Sequence, residues 1–272
     1  MTTRTIHFLF SALVGTLSLS VDLRGDVAEV VAKARAYVGP DNSLNAVKSL
    51  HFTGRVVDAR EGLKPVESSL DYIIMKPYRM RLTQISELQV GNSTEISTEI
   101  VILNNYDGSH HVKTGNFFWR ATFLHENVIQ RLRASIWQSL SFYRGIELVG
   151  GSVEYLGTAN VDEVSYQKLA FRHEGGTIFY DYFDQDTGCC IFCETSDGEV
   201  LHFEGEIMTD GIRFPKKITM TIKEDGGKKH TITQDFERIT VNETFSDDLF
   251  SVTPSSSSVA GHTSSEPAPV SK

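Results

Sequence analysis

Hydrophobic residues recur along the chain with two different spacings, and the switches between them mark its elements. In residues 26–40, "DVAEVVAKARAYVGP", Val27, Val30, Val31, Ala34 and Val38 fall on one face of a 3.6-residue period. Asp26 is placed to cap that helix, with Glu29 three positions on as in a capping box, and Gly39-Pro40 stop it. The spacing then drops to two. "HFTGRVV", "SLDYIIM", "RMRLTQI", "TEIVILNNY" and "GNFFWRA" read as strands separated by turn residues. Pro77 marks the start of one of them, in which Tyr78, Met80 and Leu82 face one way and Arg79, Arg81 and Thr83 the other.

Residues 126–145, "ENVIQRLRASIWQSLSFYRG", return to the helical period, with Val128, Leu132, Ile136, Leu140 and Tyr143 on one stripe and Ile129 beside it. Strands then resume to residue 252, joined by compact turns such as "DQDTG", "TSDGE" and "KEDGGKK". Neighbouring strands with short Gly/Asp turns make antiparallel meanders. There is no parallel strand–helix–strand rhythm and no internal repeat. The expected fold is mainly β (α+β), an antiparallel sheet of about eleven strands. Such a sheet curls and must bury one face. The two amphipathic helices are suited to cover it, over either a packed core or an apolar cavity.

The ends of the chain read differently. "MTTR" followed by "IHFLFSALVGTLSLS" has the charge and apolar run of an export signal, with the small-x-small site Ser18-Leu19-Ser20 placing cleavage after Ser20. No cysteine lies near that cut to accept a lipid anchor, and nothing downstream approaches the roughly twenty apolar residues of a membrane helix. The expected location is periplasmic. Residues 253–272 are Ser/Pro-rich without apolar period, expected to be disordered. One domain, residues 21–252, lies between. The whole chain of 272 residues carries a net charge of −9, and losing residues 1–20 removes only Arg4. That balance argues against nucleic acid and against purely electrostatic docking on anionic lipid.

All three cysteines lie in "DQDTGCCIFCETSDG". Strict alternation after the Thr187-Gly188 turn puts Cys189, Ile191 and Cys193 on one face and Cys190 and Phe192 on the other. That separates the CxxC pair, and a redox CxxC normally opens a helix. A structural zinc site needs a second ligand pair, which the chain lacks. Buried or half-exposed thiols are expected. An exported protein with an odd cysteine count leaves open a bridge from Cys189 to Cys190 or Cys193, or to another chain. His110 and His111 are adjacent on a strand or turn and point apart, which disfavours a shared metal. No nucleophile elbow, P-loop or dinucleotide fingerprint occurs. The chemistry indicates no catalytic residues, no metal and no cofactor, hence no enzyme.

The ordered set of segments resembles the periplasmic lipoprotein carrier and outer-membrane lipoprotein-sorting families, which share a LolA-like fold. The residues concerned are the first helix leading into "LNAVKSLHFTGRVV", then "IIMKPYRMRL", "VILNNYDGSHHV", and the run from 153 to 252. The hairpin "DGSHHVKT" departs from the carriers, lacking the aromatic that often follows Asp-Gly, and the region 116–150 is longer than in a minimal carrier. The resemblance implies an incomplete β-barrel with an apolar concave face, helices as a lid, and acyl chains of lipoproteins or lipids as partners. On that implication the lid face is Val30, Val31, Ala34, Leu132, Ile136 and Leu140. The cavity wall is Tyr78, Met80, Leu82, Leu201, Phe203, Ile207, Ile218, Met220 and Ile222. The same fold also serves envelope sensors and protein-interaction modules without a lipid role.

Overall fold

The computed structural model describes residues 23–223 and 226–252, the side chains of residues 23–26 and 90 excepted. The expected export signal and Ser/Pro tail lie outside the described residues. Helices α1 (Leu23–Val38) and α2 (Asp41–Ala46) open the fold. Six strands follow: β1 (Ser49–Arg60), β2 (Val66–Met75), β3 (Arg79–Val90), β4 (Ser93–Asn104), β5 (Asp107–Thr114) and β6 (Arg120–Phe123). Helix α3 (Glu126–Ser141) and a 3-10 turn (Ile146–Val149) lead to β7 (Ser152–Val161), β8 (Val164–Arg172) and β9 (Ile178–Asp184). Then come β10 (Cys190–Thr195), β11 (Val200–Glu204), β12 (Ile207–Thr209), β13 (Ile212–Phe214), β14 (Lys217–Lys223) and β15 (Lys229–Val241). A 3-10 turn (Asp247–Phe250) follows.

Thirteen strands form one sheet in the order β6-β5-β4-β3-β2-β1-β15-β14-β11-β10-β9-β8-β7, and β12–β13 make a separate hairpin. Every pairing is antiparallel. The sheet is open, with β6 and β7 as its two free edges, and it forms an incomplete β-barrel. The total of fifteen strands exceeds the expected eleven or so chiefly because β12 and β13 have only three residues each, too few to display an alternation, and because β5 was not read as a strand. The turn 115–119 was expected within a strand, but β6 starts only at Arg120. Asp26 lies inside α1, which begins at Leu23, and so is not its cap. The second helix stops at Ser141 instead of 145, because Phe142 and Tyr143 take left-handed backbone angles (φ 49° and 68°).

The core has three parts. The first gathers Leu50, Phe52, Val56, Leu70, Ile74, Met80 and Leu103 of β1–β4 under Ile129, Ile136 and Leu140 of α3, with Ile212 and Phe214 from the hairpin. The second packs Val30 and Ala34 of α1 and Ala134 of α3 on Leu169, Phe171, Phe179, Phe183 and Cys193 of β8–β10. The third lies on the opposite face of β2 and β4, where Ile73 and Ile102 are covered by Phe250.

The two halves of the sheet meet at the β1–β15 ladder, whose register slips between Thr53 and Gly54. A Cβ at Gly54 would collide with the carbonyl oxygen of Asp235 across the ladder. Gly54→Ala is expected to cost about 1–3 kcal/mol as backbone is pushed apart, read as a lower denaturation midpoint with an unchanged slope.

Candidate functional site

The concave side of the half-barrel is occupied by α3, and one side chain fixes where that helix ends. Arg35 of α1 is 2% exposed. Its Nε donates to Asp41 Oδ1 at 2.8 Å and its Nη2 to Asn45 Oδ1 at 2.9 Å, both on α2. Its Nη1 donates to the carbonyls of Phe142 at 2.9 Å and Ser141 at 3.3 Å. Those carbonyls are orphan acceptors at the C-terminus of α3, where the helix dipole favours a cation. One guanidinium therefore ties all three helices together.

Beneath α3 runs a short polar chain. Asp181 of β9, 3% exposed, accepts from Gln138 Nε2 at 2.7 Å. The Gln138 carbonyl oxygen accepts from His173 Nε2 at 3.2 Å. Burial pushes the Asp181 carboxyl up to about 6, although hydrogen bonds from Cys193 and Gln138 oppose the rise. Burial likewise pushes His173 down to about 4. Both groups are thus held towards their neutral forms inside an otherwise apolar seat.

All three cysteines are free thiols, and Cys190 and Cys193 lie beside Asp181. A bulge between Cys190 and Phe192 shifts the β9–β10 register by one residue. Cys190 and Cys193 consequently both reach the second core cluster, instead of facing opposite ways as strict alternation would have it. Burial raises both thiols well above their ordinary value, which keeps them protonated and weakly nucleophilic. Phe192, on the outer face, stacks on Tyr182 at 4.1 Å. His110 pairs with Glu99 at 2.7 Å, and His111 with Ser109 at 2.8 Å on the other face.

Among the expected lid residues, Val30 and Ala34 are buried in the second cluster with Val31 half-buried beside them. Ile136 and Leu140 are buried in the first cluster, with Leu132 half-buried against it. Among the expected wall residues, Met80 is buried in the first cluster, and Tyr78, Leu82, Ile207 and Ile218 pack against it. Leu201 and Phe203 pack against the second. Met220 and Ile222 share the face of Ile218 on β14 but belong to none of the clusters and stay half-buried. Tyr78 lies in the turn before β3, where its ring and that of Tyr106 hold the Arg133 guanidinium at 4.3 and 4.2 Å. The set therefore divides between two clusters bridged by α3, with part of β14 left open.

A cleft of about 560 Å³ opens between α1, the segment 143–147 and edge strand β7. Val27, Val31, Val153, Tyr143 and Tyr155 line it, with Arg144, Glu147 and Glu154 around them. The apolar five all pack against the second cluster, so the cleft is an outward extension of the core. Two close approaches hold α1 there. Gly188 (φ 78°) leaves room for the α1 backbone at Lys33, and Tyr37 Oη donates to Glu206 Oε1 at 2.6 Å beneath Arg213. Sequence reading missed Arg35, Asp181 and the β7 wall. Arg35 and Asp181 carried a signal: each is a charge embedded in an apolar run, "VVAKARAYV" and "IFYDYF".

An open antiparallel half-barrel with a helix seated in its hollow defines the class of fold. No protein-family model and no curated protein matches the sequence. Solved structures do match. A LolA superfamily protein from Nitrosomonas europaea superposes with a TM-score of 0.52 at 12% identity, over 83% of this chain and 97% of that one. A DUF1329 family protein from Desulfovibrio piger gives 0.50 at 14% identity, again over 83% and 97%. The protein has a LolA-like fold.

Two outcomes are expected here. Arg35→Met keeps most of the volume but strands two carbonyls at the end of α3, and should cost about 2–4 kcal/mol in denaturant titration. Asp181→Asn keeps an acceptor for Gln138 and removes the ionisation. Between the unfolded carboxyl value of 3.8 and the folded value of about 6 the native state holds a proton that the unfolded chain has lost. The wild-type aspartate thus costs stability as pH rises through that window. The advantage of Asp181→Asn should be near zero at the lower end and level off at roughly 3 kcal/mol above the upper. A pH-independent difference would contradict the assignment. His173 acts with the opposite sign, costing stability as pH falls from 6.5 through about 4.

Proposed function

We propose that the protein is an exported binder or carrier of hydrophobic ligands, with the acyl chains of lipids or lipoproteins as cargo, and that it is not an enzyme. The observation that carries this reading is the apolar cleft between α1 and β7. Its volume of about 560 Å³ lies within the range of small-molecule sites, and its inner wall is continuous with the core. Each methylene it shelters is worth about 0.8 kcal/mol. The half-buried row Ile218, Met220 and Ile222 adds apolar surface on the concave side of β14. The polar groups inside the barrel support binding over catalysis, since Asp181, Gln138 and His173 are engaged with one another. Export is supported by the apolar N-terminal stretch. No helix among the described residues is long and apolar enough to cross a membrane.

A second reading, an envelope sensor or protein-interaction module without transport, is favoured by one observation. Ile136 and Leu140 of α3 are fully buried, so the protein's own side chains fill the centre of the hollow.

Native mass spectrometry of the protein purified from an envelope fraction separates the two. Adducts of acyl-chain mass, lost on mild activation, are expected for a carrier, together with saturable uptake of a fluorescent palmitoyl probe. Val31→Asp and Val153→Asp, one on each wall of the cleft, should each weaken that uptake about tenfold or more, since a charge replaces apolar burial worth roughly 1.5–3 kcal/mol. A bare mass and no probe uptake would end the carrier reading in favour of the second.

A further inference from the structure

The turn between β5 and β6 shows the solvent an apolar surface that the core does not use. Phe117 is 70% exposed and Phe118 83%, and Phe123 on β6 is 67% exposed. None of them belongs to any of the three clusters, nor does their neighbour Trp119. Every residue of β6 is exposed, and β6 is an outermost strand of the sheet. A contiguous aromatic surface of this kind marks an interaction site. Its shape is a projecting turn and not a groove, so its partner has to be one that a protruding tip can enter.

Charge narrows the choice. Lys113 precedes the turn and Arg120 follows it, and neither forms an ion pair among the described residues, although the chain as a whole is acidic. One carboxylate, Glu95, lies against Gly115 at the start of the turn. Consecutive aromatics between two free cations fit the boundary of a phospholipid layer, where rings settle at headgroup level and cations meet phosphates. The overall charge of −9 works against adhesion by charge alone, so insertion of the rings supplies the attraction.

We propose that residues 113–123 form an interfacial anchor that docks the protein on a phospholipid surface. Phe117 and Phe118 enter the acyl boundary, Trp119 lies at the headgroups, and Lys113 and Arg120 contact phosphates. A contact of two rings and two cations is weak and reversible, below what stable anchoring requires. The anchor lies at the β6 edge, whereas the acyl cleft borders the β7 edge, so the two proposals stand on separate residues.

The test is flotation of the mature protein, residues 21–272, with phosphatidylcholine vesicles, with and without phosphatidylglycerol. The wild type is expected to float with both, and brominated lipid is expected to quench its tryptophan emission. The double variant Phe117→Ser/Phe118→Ser should lose about tenfold or more in partitioning, with its thermal midpoint and palmitoyl-probe uptake unchanged. Lys113→Glu/Arg120→Glu should weaken flotation most where the vesicles are anionic. Flotation of the phenylalanine variant at wild-type levels would overturn the proposal, as would absence of wild-type flotation with either vesicle. So would a concentration-dependent oligomer that the phenylalanine variant disperses while no form floats, which would assign the tip to a second copy of the chain.

Discussion

The arrangement of the helices rests on a single buried guanidinium. Arg35 is withdrawn from water, so its donors must be satisfied by protein groups or they become a large cost. The groups that satisfy it belong to α2 and to the last turn of α3. Three helices are thereby set in one geometry over the sheet. The negative charge that balances it, Asp41, is half in solvent, so the pair avoids full desolvation of both partners. Everything under α3, from the first core cluster to the Asp181–Gln138–His173 chain, depends on the helix being held in this seat.

The sheet adds a second constraint. An open sheet of thirteen strands has two edges and two faces to protect. The concave face is covered by α1, α3 and the β12–β13 hairpin except along part of β14. On the convex side, the segment around Phe245–Phe250 covers β2–β4, secured by Arg79 to Asp247 at 2.5 Å and Arg81 to the carbonyl of Leu249 at 3.1 Å. Farther along, Tyr166, Tyr182, Phe192 and His202 cover one another as a row of packed rings. These coverings make both faces of several strands apolar.

That double covering shows what was legible in the chain. "DYIIM" and "EIVIL" are continuous apolar runs because Ile73 and Ile102 are buried beneath Phe250 while Ile74, Val101 and Leu103 face α3. The period-two and period-3.6 stretches were long enough to reveal an antiparallel sheet and its two main helices, while the half-barrel was implied by the family resemblance. The β10 bulge was not readable, since a one-residue slip reverses every facing assignment after it and leaves no compositional trace in "CCIFC". Arg35 and Asp181 were visible as misplaced charges, but their partners, Phe142 and Gln138, are 107 and 43 residues away. The α1–β7 cleft depends on how two elements far apart in sequence meet, which alternation cannot express.

The way α3 is spliced into the chain limits how it can ever leave its seat. Only Leu124 and His125 separate it from β6, and Leu124 is pinned by its backbone to Gly108 at 2.9 Å. At its other end, residues 142–151 intervene before β7, enough for about 30 Å of extended chain. The helix is therefore a lever with its fulcrum at the N-terminus and its slack at the C-terminus. Releasing Arg35 would free the long-tethered end, which is also the end beside the α1–β7 cleft. Movement of that end and withdrawal of Ile136 and Leu140 from the core would then be one rotation, its reach limited by the length of the 142–151 tether.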